Sequence, residues 1–332
     1  MDRPNLIVFD MDGVIVDVSN SYRDAVRQTV KLFFEPALKA DALPDPLFSL
    51  EDLSAVKQAG GLNNDWELTY HVIGLLMRRV DSPQGMPDGE AWGLHAKTIP
   101  GCNVADLGRY LSTVDTPLKN LHYNGPVPAN HLIRRLSAGD VGSGNVIKQI
   151  FQEIYLGRAL FKSTYGFSPR VYRGSGLIDR EELLLPEAFI GELSALHHLA
   201  IATGRPRAEA EHALDRFALQ TYFRTMMTLD DCTAAEEKAA AEAGNPVSFS
   251  KPHPFMLDAI ADGHGRKNGR FFYVGDMPDD MMAAARSAYD YVGIGVTYAS
   301  PDKTLLGKRL LDAGADRVMS RVADLRDFLL GS

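Results

Sequence analysis

Two hydrophobic rhythms alternate along the chain. Short unbroken apolar runs, the pattern of strands buried on both faces of a parallel sheet, occur at Leu6–Phe9, Leu199–Ala202, Phe271–Val274 and Tyr291–Val296, with a fainter instance at Thr225–Leu229. Helical periodicity fills the gaps: Pro206–Ala218 with Ala210, Leu214 and Phe217 on one stripe, then Pro254–Ala261, then Asp279–Ala288. Strand, helix, strand, helix predicts an α/β fold, a doubly wound parallel sheet.

Residues 18–184 follow a different pattern. Tyr22–Phe34 is amphipathic and has Ser19 or Asn20 available as N-cap. Ser49 and Asp52 have the spacing of a weak capping box. Trp66, Thr69, Val72, Ile73, Leu76, Met77 and Val80 recur at helical intervals, and Val104–Val114, His131–Leu136 and Val146–Phe161 also scan as helix. Residues 81–101, rich in Pro, Gly and Asp, predict a loop, and the alanine- and glutamate-rich Ala234–Ala243 predicts an exposed helix. The expected organisation is a core built from residues 1–17 and 185–332, interrupted after its first strand by a large, mostly helical module of residues 18–184.

Composition narrows the class. A chain of 332 residues exceeds one average domain, and 45% hydrophobic content sustains a proper core. The net charge of -8 argues against a nucleic-acid partner. Two widely separated cysteines, Cys102 and Cys232, make neither a disulfide framework nor a zinc spacing, so a reducing cytoplasm is expected. The first strand begins near residue 6, which predicts no signal peptide, and no apolar run is long enough to span a bilayer.

The chemistry concentrates at strand ends. In FDMDGVIVD, Asp10 and Asp12 follow the first strand; side chains two apart on an extended strand point the same way. Two carboxylates held that close repel, and burial aggravates the repulsion. Ligands of open parallel sheets bind beyond the carboxyl ends of the strands, where a hard cation with oxygen ligands, Mg²⁺ above all, would make the pair tolerable. Asp276, Asp279 and Asp280 follow another strand, Thr203 a third, and Lys251 precedes a helix. Carboxylates, a hydroxyl, a lysine and helix N-termini at one sheet edge suit phosphoryl transfer. The bland readings weigh on single residues: Thr203 alone could be a cap, Lys251 a surface lysine, and His197, His198 and His253 are read as structural. Gly142-Ser143-Gly144 and Gly174-Ser175-Gly176 are read as loops, since neither joins a strand to a helix as a dinucleotide fingerprint does.

Taken in order, Asp10-Met11-Asp12-Gly13-Val14, Thr203, Lys251 and Gly275-Asp276-x-x-x-Asp280 resemble the four motifs of the haloacid dehalogenase superfamily. The insertion after the first motif resembles a C1-type cap of the phosphoglycolate phosphatase-like branch, subfamily IA, and Gly60–Thr69 is similar to a segment of a less characterised group within it. The resemblance implies Asp10 as nucleophile and Mg²⁺ ligand and Asp12 as general acid/base with its main-chain carbonyl on the metal. It further implies Thr203, Gly204 and Lys251 on the phosphoryl oxygens, Asp276 as a metal ligand, and Asp280 or Asp279 in support. Asn64, Asp65 and Arg173 of the inserted module are candidates for substrate specificity. The expected activity is Mg²⁺-dependent hydrolysis of a small phosphorylated metabolite through an aspartyl-phosphate. A phosphomutase acting on a sugar phosphate and a non-catalytic phosphometabolite-binding protein are the alternatives. Retention of Asp12 argues against a dehalogenase.

Overall fold

The structure is a computed structural model that describes residues 4–58, 64–83, 88–119, 121, 131–243, 247–265 and 269–331. The chain divides into two compact units, residues 1–17 with 182–332, and residues 18–181.

The first unit is built on six strands: β1 (Leu6–Phe9), β2 (His198–Ala202), β3 (Phe223–Met227), β4 (Phe271–Gly275), β5 (Tyr291–Val296) and β6 (Arg317–Met319). They pair in the order β3-β2-β1-β4-β5-β6, parallel throughout, with Leu6 level with His198 on one side and with Phe271 on the other. The apolar runs explain the arrangement. Leu6, Ile7, Val8 and Phe9 are all buried, as a strand covered on both faces by crossover helices requires. Helices Glu187–Leu196, Arg207–Arg216, Leu229–Ala243, Phe255–His264, Pro278–Arg286, Lys303–Asp312 and Val322–Leu330 supply the cover. The chain winds outward from β1 through β2 and β3, then returns to lay β4 on β1's other flank. The order therefore reverses between β1 and β4, the position at which such sheets bind ligands. A short antiparallel ribbon, Val16–Asp17 with Glu182–Leu183, completes this unit.

The second unit is helical. Its main helices are Tyr22–Phe34, Leu50–Gln58, Asp65–Leu76, Ala91–Thr98, Ala105–Thr113, His131–Leu136 and Val146–Tyr165. Val26, Phe33, Phe34, Val72, Ile150, Phe151 and Phe161 join one buried cluster, and Tyr22 stacks on Tyr155 with ring centroids 4.1 Å apart.

Several local expectations change. The 81–101 stretch is not all loop: Ala91–Thr98 is a helix. It forms because Leu94 and His95 are buried, with His95 Nε2 3.1 Å from the Phe33 carbonyl and Trp92 donating to Gln149 at 3.2 Å. The fainter strand runs Phe223–Met227, and Leu229 already opens the next helix. The first helix is preceded by Ser21, not Ser19 or Asn20, and the Ser21 hydroxyl caps nothing; it donates to Glu181 at 2.9 Å. Ser49 does cap, accepting from the Asp52 amide, while the Asp52 carboxylate accepts from Leu118.

Candidate active site

Asp10 leaves the sheet directly after β1, its amide bonded to the Val274 carbonyl of β4 at 2.8 Å. Its carboxylate is buried. Lys251 Nζ lies 3.0 Å from Oδ1, and the Met11 amide donates to that same oxygen at 2.8 Å. Both contacts fall on Oδ1, and neither engages Oδ2. Burial pushes the Asp10 carboxyl up to about 7, with Lys251 opposing and the Asp280 and Asp12 charges adding to the rise.

Lys251 is the hub. It also donates to Asp280 Oδ1 at 2.7 Å, to the Tyr273 hydroxyl at 3.1 Å and to the Ala202 carbonyl at 3.4 Å. Burial works against its charge, but Asp10 and Asp280 outweigh it and hold the ammonium well above the ordinary lysine range. Asp280 sits in the first turn of Pro278–Arg286 and spends both oxygens: Oδ1 accepts from Lys251 and Tyr273, Oδ2 from the Met277 amide at 3.0 Å. Tyr273, pushed well up by burial, remains a neutral donor.

Asp276, at the end of β4, completes an acidic group: one oxygen each from Asp10, Asp276 and Asp280 lies within 4.8 Å of the others. Among the described residues no donor reaches the Asp276 carboxylate, and burial, then Asp280 and Asp10, push its pKa well up. A carboxylate without donors, beside two more acids and with only one lysine to share, matches a hard divalent cation held by oxygens. Gly13 makes the approach possible. It has φ +71°, and a Cβ there would fall 2.1 Å from Asp276 Oδ2.

Asp12 is one-third exposed at its side chain and pairs with Arg205, Nε to Oδ1 at 2.5 Å. Thr203 is buried at the end of β2; its amide bonds the Met227 carbonyl and its Oγ1 accepts from the Arg205 amide at 3.2 Å. Gly204 is exposed, with nothing within 4 Å of where a Cβ would stand.

The structure thus brings Asp10, Lys251, Asp276 and Asp280 into mutual reach, and ties Asp12 to the turn that holds Thr203 and Gly204. Asp279 stands outside the acidic trio, its pKa raised by burial and then by Asp280. Asn64, Asp65 and Arg173 belong to the helical unit. Asn64 is the N-cap of Asp65–Leu76, accepting from the Trp66 and Glu67 amides; Arg173 is exposed on a loop. Residues 60–63 of the segment compared above lie outside the described residues. Two members escape a sequence reading. Tyr273 hides in an apolar strand run, and Arg205 stands in Thr203-Gly204-Arg205-Pro206, where nothing in the sequence ties it to Asp12, 193 residues away.

Comparison with known proteins fits this geometry. Residues 187–294 match the family described as haloacid dehalogenase-like hydrolase. The match lies within the core unit. Solved structures of similar fold run nearly the length of the chain. A Northeast Structural Genomics Consortium target is 20% identical over 99% of this chain and 98% of its own, with a TM-score of 0.61. Phosphatase Tt82 from Thermococcus thioreducens is 17% identical over 92% of this chain and 98% of its own, with a TM-score of 0.52. A curated relative, imidazoleglycerol-phosphate dehydratase of Phytophthora nicotianae, is 23% identical over 95% of this chain. The chain spans about half the length of that relative, 50%.

Proposed function

We propose that the core unit hydrolyses the phosphate monoester of a small metabolite. The observation that carries the reading is the Asp10 carboxylate, engaged through Oδ1 by Lys251 and the Met11 amide while Oδ2 stays available, beside a second acid on the same strand exit. In the first step Asp10 Oδ2 bonds to phosphorus as the ester P–O bond breaks, and protonated Asp12 passes its proton to the departing alkoxide. In the second, Asp12 takes a proton from water, the water oxygen bonds to phosphorus, and the aspartyl P–O bond breaks to release phosphate. Lys251 offers charge to the phosphoryl oxygens, with the Thr203 hydroxyl and the Gly204 amide as further donors. Asp10, Asp276 and the Asp12 main-chain carbonyl would hold Mg²⁺, which supplies positive charge to the transferring group. Asp280 anchors Lys251 and leaves Asp10 and Asp276 to the ion.

The helical unit is the proposed specificity cap, with Asn64, Asp65 and Arg173 as its candidate contacts. The similarity to Phosphatase Tt82 supports the reaction class. The dehydratase name belongs to a protein twice as long and enters only as a hint that imidazole-bearing phosphate esters belong in a substrate panel.

The test is phosphate release from a panel of phosphorylated metabolites and an aryl phosphate, with Mg²⁺ or with EDTA. Mg²⁺-dependent release, abolished in a folded Asp10→Asn variant by a factor of ~10⁴ or more, is the expected result. Full activity in EDTA, or retained turnover in Asp10→Asn, overturns it. Interconversion of sugar phosphates with little release would instead mark a mutase.

A further inference from the structure

Arg205 is the largest fully buried side chain of the described protein. Arginine is almost never fully buried unless paired, because desolvating the guanidinium is expensive. Here the pairing has a particular asymmetry. The Arg205 side chain is 0% exposed, whereas the Asp12 side chain it meets is 32% exposed. A packed cation facing a partly solvated carboxylate fixes the carboxylate, not the reverse.

The cation's own position is fixed from both sides of its peptide. Its amide donates to Thr203 Oγ1 at 3.2 Å, and its carbonyl accepts from the Leu229 amide at 3.0 Å. Thr203 in turn is bonded to Met227 of β3. The turn is therefore pinned to β3 and to the start of the helix Leu229–Ala243, and the guanidinium meets Asp12 through Nε on Oδ1. Among the described residues Asp12 Oδ2 has no donor. One oxygen is tethered and the other is turned free, the arrangement a group needs if it is to exchange a proton at a fixed place.

We propose that Arg205 is a positioning residue of this site: through Nε it holds the Asp12 carboxylate in the orientation from which Asp12 serves the leaving group and then water. The inference rests on the phosphate-ester reading above and deepens it. It assigns the arginine after Thr203-Gly204 a role distinct from phosphoryl binding, which Thr203, Gly204 and Lys251 already serve.

A double-mutant cycle tests it on the full chain with saturating Mg²⁺, because Arg205 has further interactions that a single substitution would also remove. The proteins are wild type, Arg205→Lys, Arg205→Met, Asp12→Asn and the double variant Arg205→Met with Asp12→Asn. The substrates are an alkyl phosphate and an aryl phosphate with a good leaving group. If Arg205 acts through Asp12, Arg205→Met lowers kcat for the alkyl ester by roughly 10²-fold, lowers it less for the aryl ester, and leaves KM nearly unchanged. In the Asp12→Asn background the same substitution costs less than about threefold. Arg205→Lys recovers part of the loss and serves if Arg205→Met does not fold. Equal losses for both esters, or additive losses in the cycle, or a KM increase shared by all substrates, overturn the proposal. The last of these would mean that Arg205 binds the phosphoryl group itself. A second readout does not need turnover. Crystal structures of wild type and Arg205→Met at one pH show the Asp12 carboxylate displaced or multiply placed if the proposal holds; an unchanged Asp12 sinks it. Absence of phosphate release from wild type would defeat only the phosphate-ester reading, and the structural comparison would still decide the role of Arg205.

Discussion

At the scale of single residues, the site depends on one position having no side chain. Gly13 occupies the left-handed region at φ +71°, which an alanine enters at a cost of roughly 1 kcal/mol or more. Its would-be Cβ lands 2.1 Å from Asp276 Oδ2, a separation no real contact tolerates. Gly13→Ala must therefore strain the turn and displace the Asp276 carboxylate together. The expected outcome is a loss of about 1–3 kcal/mol in stability with a several-fold higher Mg²⁺ requirement, read from a denaturant midpoint and a metal titration of turnover. An unchanged metal requirement would detach Gly13 from the ion site. Asp10, Asp12 and Asp276 are legible in the sequence because they stand where an apolar run stops, so the pattern itself marks the sheet edge, and Lys251 because it precedes a helix. Tyr273 and Arg205 are not. Tyrosine counts as apolar inside a strand run, and whether a particular arginine reaches an acid almost two hundred residues away depends on strand order, which periodicity does not specify.

At the scale of elements, the helix Val146–Tyr165 shows why a correct helical reading still leaves most of the energetics unseen. Its apolar stripe is evident, yet Gln149, Gln152 and Glu153 are buried alongside it. The Glu153 carboxylate takes three successive main-chain amides, Arg170 at 2.8 Å, Val171 at 2.8 Å and Tyr172 at 3.0 Å, as well as the Gln149 side chain at 2.9 Å. One turn later Gly157 leaves the helical region at φ +67°, ψ 172°, and the loop crosses so closely that its missing Cβ would meet the Gly176 nitrogen at 2.1 Å. The loop that carries Arg173 is thus tied to a kinked helix at two points. Each buried amide left without an acceptor costs ~1–3 kcal/mol, so Glu153→Ala should destabilise the helical unit by about 3 kcal/mol or more. Glu153→Gln should cost less, since one acceptor oxygen remains. Hydrogen exchange at Arg170, Val171 and Tyr172 gives the direct check: their amides should lose protection in Glu153→Ala, and unchanged protection would show the clamp to be dispensable. None of this is visible in a heptad-like pattern, where a glutamate counts as solvent-facing and a mid-helix glycine as a small blemish. The helix Ala91–Thr98 escapes for the related reason that eight residues are too few to establish a period against a Pro- and Gly-rich background.

At the scale of the whole molecule, the acids at the β1–β4 exit couple stability to pH and, on the proposed reading, to metal. No described helix is long and apolar enough to cross a bilayer. Without metal, burial raises Asp10 to about 7 from an ordinary 3.8, and Asp276 is pushed the same way. A carboxyl with a raised folded pKa binds its proton more tightly in the native state than in the unfolded one. Its stabilising contribution is complete below about pH 4 and is lost as pH climbs toward 7. Lys251 does not offset this, because both its states stay protonated across that window. Buried histidines pull the other way: His71, His95 and His197 are lowered by burial, so their contribution grows as pH rises through the ordinary histidine range. A bare Tm–pH curve mixes the two trends, and the informative quantity is the difference that Mg²⁺ makes. A cation on Asp10 and Asp276 would favour their ionised forms, and the ionised form of Asp10 is scarce at pH 5 and common at pH 8, so bound Mg²⁺ would add stability by mass action more at the higher pH. The Mg²⁺-induced rise in the core unit's Tm should therefore be several degrees larger at pH 8 than at pH 5, and Asp10→Asn should shrink it at both. Differential scanning calorimetry in EDTA and in millimolar Mg²⁺ provides the measurement. A Mg²⁺ shift that is the same at both pH values, or larger at pH 5, would mean that the ion does not bind the buried carboxylates of β1 and β4.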